Sequence, residues 1–273
     1  MLDKFILSYI SYAQVILPWF VVGIAIAVVL EKKLKPSVIK RYFGRTSLKN
    51  LIVAQMLGMI SPLSIMSFIP IAGGLVALGA SPGLLFSFFI AERAYDLQSF
   101  FVISSLFGVK MAIFNAVAIF VALVATALSL KNDHLKISSR GKQEKNNFWQ
   151  RQFKLLVTVI LGIGVGSGLR VLIPESLFQQ IAGTSLGGII SGLVIGFSLY
   201  FGPILGNYPV AKAFADLGMS SVGVLTFLTV SPILNFIIMM MFSNLVGMFK
   251  IIKPVLIYSL VGLTLTVVFG IFL

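Results

Sequence analysis

No charged residue occurs in eight stretches of the chain: 5–30, 50–91, 97–109, 111–130, 155–169, 176–211, 217–249 and 254–273. A helix needs about 20 apolar residues to cross the hydrocarbon core of a bilayer. The stretch 5–30 is therefore one span. The 42 residues of 50–91 are two spans, or one span and a re-entrant hairpin, and the same choice applies to 176–211 and 217–249. Of 273 residues 58% are apolar and 11% are charged, against roughly 25% charged in a soluble domain. This excludes an ordinary soluble enzyme, a disordered chain and a disulfide scaffold. An all-α polytopic membrane protein is expected.

The net charge of +13 does not indicate nucleic-acid binding, because the basic residues are concentrated between apolar stretches. Lys32, Lys33, Lys35, Lys40, Arg41, Arg45 and Lys49 fall in 31–49. Lys131, Lys136, Arg140, Lys142, Lys145, Arg151 and Lys154 fall in 131–154. Lys/Arg-rich short loops mark the cytoplasmic side. Segment 131–154 is thus read as a basic cytoplasmic linker between a first transmembrane repeat, 1–130, and a second, 155–273. The first apolar stretch lacks a small-residue cleavage site and reads as a retained span. There is no cysteine, and the one histidine, His134, lies in the linker. Thiolate chemistry and a histidine-cluster metal site are excluded, and no metal or other cofactor is expected.

The two halves match at an offset of 139 residues without a gap. Gly23 falls on Gly162, Ser37 on Ser176, Gly44 on Gly183, Pro70 on Pro209, Gly79 on Gly218 and Gly108 on Gly247. The loop 31–49 is strongly basic, whereas its counterpart 170–188 holds only Arg170 and Glu175. Lys250 and Lys253 reverse that bias near the end of the second copy. Opposite charge bias in matching loops implies two inverted-topology repeats, each of about four to five membrane segments with broken or re-entrant helices. Secondary transporters use this plan, with the substrate site near the midplane between the repeats.

Two pairs of matched segments carry the candidate site. In the first pair, Pro62 to Pro70, with Ser64, Met66 and Ser67 inside it and Gly79 beyond, falls opposite 201–209. The latter holds Pro203, Asn207, Tyr208 and Pro209, and Gly218 lies beyond. Proline and glycine inside apolar segments break helices, and irregular backbone at membrane depth is tolerated only against protein or a water-filled cavity. The alternative is a packing kink without a ligand. In the second pair, Glu92, Arg93, Tyr95 and Asp96 fall opposite Ser231, Pro232 and Asn235. Charges at membrane depth are costly unless paired or hydrated. On one helix Glu92 and Asp96 share a face with Arg93 close by. That cluster suits a proton relay, or an anion held by Arg93. The alternative is a polar turn at the membrane surface. Lys212 and Asp216, again four apart, read as a salt bridge bracing the broken helix, with a direct substrate role for Lys212 also considered. The ten methionines are ordinary core filler, Met66 being the one worth testing against a soft metal. No phosphate-binding Gly-Lys loop and no nucleophile–His pair occurs, so neither a built-in ATPase nor another enzyme activity is expected.

At these motifs the sequence resembles the predicted permeases of the YraQ type, which include the ArsP organoarsenical exporters. Their first motif, Pro-x-Cys-Ser-Cys-Gly-x-x-Pro followed by a glycine, has the spacing of Pro62 to Pro70 with Gly79. Their later Ser-Pro-x-x-Asn stretch is similar to Ser231-Pro232-Ile233-Leu234-Asn235. The similarity spans most of the chain outside the linker. The two cysteine positions fall on Ser64 and Met66, Glu92 and Arg93 stand where the first Ser-Pro would be, and Asp96 replaces the Asn. The resemblance implies a permease scaffold in which thiolate capture of arsenic does not carry over.

The expected function is that of a multi-pass inner-membrane permease, moving a small polar or anionic solute by alternating access with proton coupling. The alternatives are a metalloid exporter like its relatives, and a non-transporting scaffold subunit. The expected partners are the lipid bilayer and a small-molecule or ion substrate, and a homo-oligomer is left open.

Overall fold

The computed structural model describes residues 1–33, 47–60, 82–130, 148–199, 204–236, 239–240 and 248–273. Every regular element among them is helical. In the first half these are α1 (Leu2–Lys33), α2 (Leu48–Ile60), α3 (Pro82–Ala94), α4 (Leu97–Phe107) and α5 (Val109–Ser129). The second half holds α6 (Phe148–Leu172), α7 (Glu175–Ala182), α8 (Ser185–Leu199), a 3₁₀ turn (Ile204–Gly206), α9 (Asn207–Asp216), α10 (Ser221–Val230) and α11 (Met248–Gly270). α6 begins at Phe148, so the last part of segment 131–154 is already helical.

Among the described residues four helices are long and apolar enough to cross a membrane: Leu2–Val22, Val109–Ser129, Gln152–Leu172 and Phe249–Gly270. Glu175–Ala182 and Ser185–Leu199 make a fifth if the pair, bent by 105°, is one span. Three further apolar helices, Leu48–Met59, Gln98–Phe107 and Ser221–Val230, are shorter. At 1.5 Å per residue the latter two, which begin and end within the described residues, reach only part of the way across the hydrocarbon core, about 30 Å thick.

Packing among the described helices follows the 139-residue offset. α2 packs on α3 as α8 packs on α10, and α3 packs on α5 as α10 packs on α11. α1 packs on its counterpart α6, and α5 on its counterpart α11.

Both counterpart pairs run antiparallel. At the start of α5, Lys110 Nζ donates to the Phe272 carbonyl beyond the end of α11. One turn on, Phe114 stacks on Phe269 with centroids 4.7 Å apart. At the other end, Lys253 Nζ near the start of α11 donates to the Ser129 carbonyl at 3.2 Å. In the α1–α6 pair, Gly164 approaches the Tyr9 ring, while Ile24 shares a groove with Trp149 and Phe153 at the start of α6.

Close backbone approach sets the packing of the short helices. Gly188, Gly192 and Gly196 form a buried stripe along α8. They face Ser220, Gly223 and Ser231 in the same order, so α8 and α10 are parallel. Small residues at such crossings let helices approach closely where no water drives them together. Two parallel neighbours require a return between them. The chain comes back through the 3₁₀ turn and α9, and the Ser220 N–H then donates to the Ala182 carbonyl at 3.0 Å, beside the start of α8. Gly218, with φ +90°, turns the chain into α10, and Ser220 caps that helix by accepting from the Gly223 N–H. Glycine takes this left-handed backbone without a Cβ clash.

A Cβ on Gly192 would lie 2.7 Å from the Gly223 carbonyl oxygen, whereas one on Gly168 in α6 would meet nothing within 4 Å. Gly192→Ala should destabilise the protein by about 1–3 kcal/mol through overpacking. Gly168→Ala should stabilise it by about 0.5–1 kcal/mol through helix propensity. Thermal unfolding in detergent checks both signs.

Candidate functional site

The break between α3 and α4 is two residues long, Tyr95 and Asp96. A break in an apolar helix leaves N–H and C=O groups that lipid cannot satisfy. Asp96 closes one side. Its Oδ1 accepts from the Ser99 N–H at 2.7 Å and from Ser99 Oγ at 2.6 Å, and the Asp96 N–H donates to Ser99 Oγ at 3.4 Å. This reciprocal capping box starts α4. Tyr95 is buried, and its hydroxyl donates to the Ala112 carbonyl of α5 at 3.3 Å.

The same serine reaches the second half. Tyr208, buried in the first turn of α9, donates its hydroxyl to Ser99 Oγ. A hydrogen-bonded chain therefore runs from Tyr208 through Ser99 to the Asp96 carboxylate and joins two interrupted segments from opposite halves. Asn207 is buried beside Tyr208, and its amide donates to the Ile204 carbonyl at 3.3 Å, which holds the 3₁₀ turn. Gln98, next to Ser99, is buried with its Oε1 lacking a hydrogen-bond partner. Pro209 enters the first turn of α9, where its missing N–H costs nothing, and its carbonyl lies against Gly166 of α6.

The matching break after α10 is built differently. Asn235 donates its amide to the Ser231 carbonyl at 2.7 Å and the Pro232 carbonyl at 3.3 Å. Here an amide donates back to the carbonyls that end a helix, whereas Asp96 accepts from the N–H that begins one. A carboxylate has no donor, so the Asn-to-Asp exchange between the copies reverses which helix terminus is held. Ser231 is buried against Gly196, and its Oγ has no partner.

Glu92 and Arg93 occupy the last turn of α3, but their side chains lie outside the described set. The expectation that Glu92 and Asp96 share a face of one helix is corrected. α3 ends at Ala94, and Asp96 caps a separate helix. Ser64, Met66, Ser67, Pro62, Pro70, Gly79 and Pro203 lie outside the described residues.

Lys212 and Asp216 do form the expected salt bridge, at 2.7 Å. The sequence reading missed its other partners. Arg170, in the last turn of α6 rather than in a loop, reaches Asp216 Oδ2 at 3.2 Å, and Tyr12 of α1 donates its hydroxyl to the same oxygen at 2.8 Å. One carboxylate thus ties α1 of the first half to α6 and α9 of the second. A second link between the halves, neutral and buried, joins Asn115 of α5 to Thr229 of α10 at 3.0 Å, and Tyr258 of α11 donates to the Thr229 carbonyl at 2.8 Å. Ser99 was also missed, although the spacing Asp96-x-x-Ser99 is that of a helix cap.

Ser99→Ala should destabilise the protein by about 1 kcal/mol, because the Oγ bonds to Asp96 and Tyr208 are lost while the backbone N–H of residue 99 still donates to Asp96. Tyr208→Phe should cost a similar amount, about 0.5–1.5 kcal/mol, through one hydrogen bond. Because both act on one chain of bonds, the double variant should lose clearly less than the sum, and a double-mutant cycle on thermal unfolding reads that coupling.

A family model described as a predicted permease, ArsP_1, matches residues 2–273. No curated protein and no solved structure matches the chain. With four to five helices among the described residues long and apolar enough to cross a membrane, and a family match over nearly its whole length, this multi-pass membrane protein belongs to the ArsP_1 family of predicted permeases.

Proposed function

We propose that the chain is a secondary transporter that moves a small polar or anionic solute by alternating access between two inverted repeats. The observation that carries this reading is the hydrogen-bonded chain Tyr208–Ser99–Asp96, which joins a helix break of one half to the interrupted return segment of the other. Rocking one repeat against the other changes the geometry at that joint before it changes anything inside a half. Antiparallel counterpart helices and a shared packing order in the two halves support the inverted repeat. Glu92 and Arg93 end α3 immediately before the break, which puts three ionisable residues within five positions.

In this reading Arg93 attracts the anionic group of the solute, and Glu92 and Asp96 orient it or carry a coupled proton. The residues at the family's cysteine positions, Ser64 and Met66, favour a polar solute over thiolate capture of a metalloid. The protein resides in the inner membrane with 131–154 in the cytoplasm.

The test is uptake into proteoliposomes from a panel of oxyanions and small carboxylates. Flux should saturate with solute concentration and rise with an inward proton gradient. Asp96→Asn and Arg93→Gln should each lower it about tenfold or more, the size expected for one charge-assisted hydrogen bond, at unchanged protein levels. Flux without saturation would instead indicate a channel. Unaltered flux in both variants would remove the break from the mechanism, and a flat pH profile would remove the proton.

A further inference from the structure

α9 meets the first half at both of its ends. In its first turn Tyr208 donates to Ser99 of α4, and at its last residue Asp216 accepts from Tyr12 of α1 at 2.8 Å. Tyr208, Lys212 and Asp216 are four apart, so they lie along one face of the helix. At 1.5 Å per residue the two contacts are about 12 Å apart along it. Their surroundings differ. Tyr208 and Ser99 are buried, whereas the Arg170 and Lys212 side chains beside Asp216 are part-exposed. The Asp216 end therefore opens to the surface. Arg170 belongs to the last turn of α6, the end away from the basic segment 131–154. With that segment in the cytoplasm, Asp216 sits towards the extracytoplasmic face.

The bonds at Asp216 divide unevenly between the halves. Arg170 Nη1 and Lys212 Nζ, at 3.2 and 2.7 Å, come from the second half, as does the carboxylate itself. Only the Tyr12 hydroxyl comes from the first. When α1 and α9 part, the carboxylate keeps both cations, so no uncompensated charge is left behind. Water that reaches Arg170 and Lys212 takes over both sides of the broken bond. Tyr12 is itself buried, at the head of a stripe with Ile16 and Phe20, so its ring presents the hydroxyl from a fixed place. Resting on the alternating-access reading above, we propose that the Tyr12–Asp216 bond is the extracytoplasmic gate of the transporter. It is made while that side is closed and broken when that side opens to the solute. The joint at Tyr208, Ser99 and Asp96 lies beneath it along α9, so solute arriving from that side passes the gate first.

The chain has no cysteine, so single reporters go directly into the full-length protein. Ala211, buried in α9 between Tyr208 and Asp216, is replaced by cysteine, and its reaction with a polar maleimide is timed in lipid nanodiscs. Adding Tyr12→Phe keeps the ring and removes only the hydroxyl. It should speed labelling about tenfold, the shift expected when one hydrogen bond to a charged group is lost. Asp216→Ala should speed it at least as much, and the double variant should label no faster than Asp216→Ala alone, because both remove the same bond. Ala118→Cys, buried in α5, should stay unlabelled throughout, which separates opening from general loosening. Unchanged labelling in Tyr12→Phe, additive effects, or an equal rise at Ala118→Cys would each overturn the gate. Tyr12→Phe decides alone if Asp216→Ala does not fold. Flux through the same proteins in proteoliposomes separates the gate from the transport reading beneath it. Saturable flux with unchanged labelling would reject the gate only, whereas flux without saturation would reject alternating access whatever the labelling.

Discussion

A bilayer offers no water to an unpaired backbone group, and that constraint governs where this chain is allowed to stop being helical. Each described break comes with its own local satisfaction. Asp96 and Ser99 hold the start of α4, Ser220 holds the start of α10, and Asn235 holds the carbonyls after α10. Asn207 holds the 3₁₀ turn before α9. These polar residues are the condition for short helices to exist in an apolar environment at all. Their cost of burial is offset only because each one closes bonds that lipid would leave open.

Once the breaks are fixed, the packing follows from small residues and from pairing between counterparts. The glycine stripe on α8 lets α10 lie alongside in parallel, which forces the return through α9. The 3₁₀ turn and α9 in turn can lie against α6 because Gly162 and Gly166 leave room for the backbone of Gly206 and Pro209. The antiparallel contacts of α5 with α11 and of α1 with α6 then set the two halves head to tail. Among the described residues, side chain pairs that bond across the halves include Tyr208 with Ser99, Asn115 with Thr229 and Tyr12 with Asp216, while Lys110 and Lys253 reach the carbonyls of Phe272 and Ser129.

The long spans were legible, and the repeat is proposed from sequence, because both leave signals that apolar composition does not blur. A charge-free stretch has countable length, and glycine and proline positions recur at 139 residues. The short helices were not legible. A transmembrane helix is apolar on its lipid face and on its core face alike, as exposed Val121 and buried Leu123 of α5 show. Hydrophobic periodicity therefore carries little contrast. For the same reason the spacing of Glu92 and Asp96 suggested one continuous helix, and only the cap at Ser99 reveals the break. Ser99 itself looked like any serine until Tyr208, 109 residues away, was seen to bond to it. Arg170 looked like a loop charge because sequence separation hides that the end of α6 lies beside the end of α9.

The polar links between the halves are also unequal in kind, which bears on how such a structure would move. Asn115 and Thr229 are neutral and fully buried, and separating them would expose two unsatisfied groups to apolar surroundings. The Asp216 cluster differs. Arg170 and Lys212 remain 41% and 30% exposed, so water can replace either partner of the carboxylate as it leaves. Exposed ion pairs of this sort contribute little net stability and are released at low cost. A rigid-body motion of one half against the other therefore meets its greater resistance at the buried Asn115–Thr229 contact and its lesser resistance at Asp216. The first is the costlier contact to separate and the second the cheaper, with the Asp96–Ser99–Tyr208 joint as a third link between the halves.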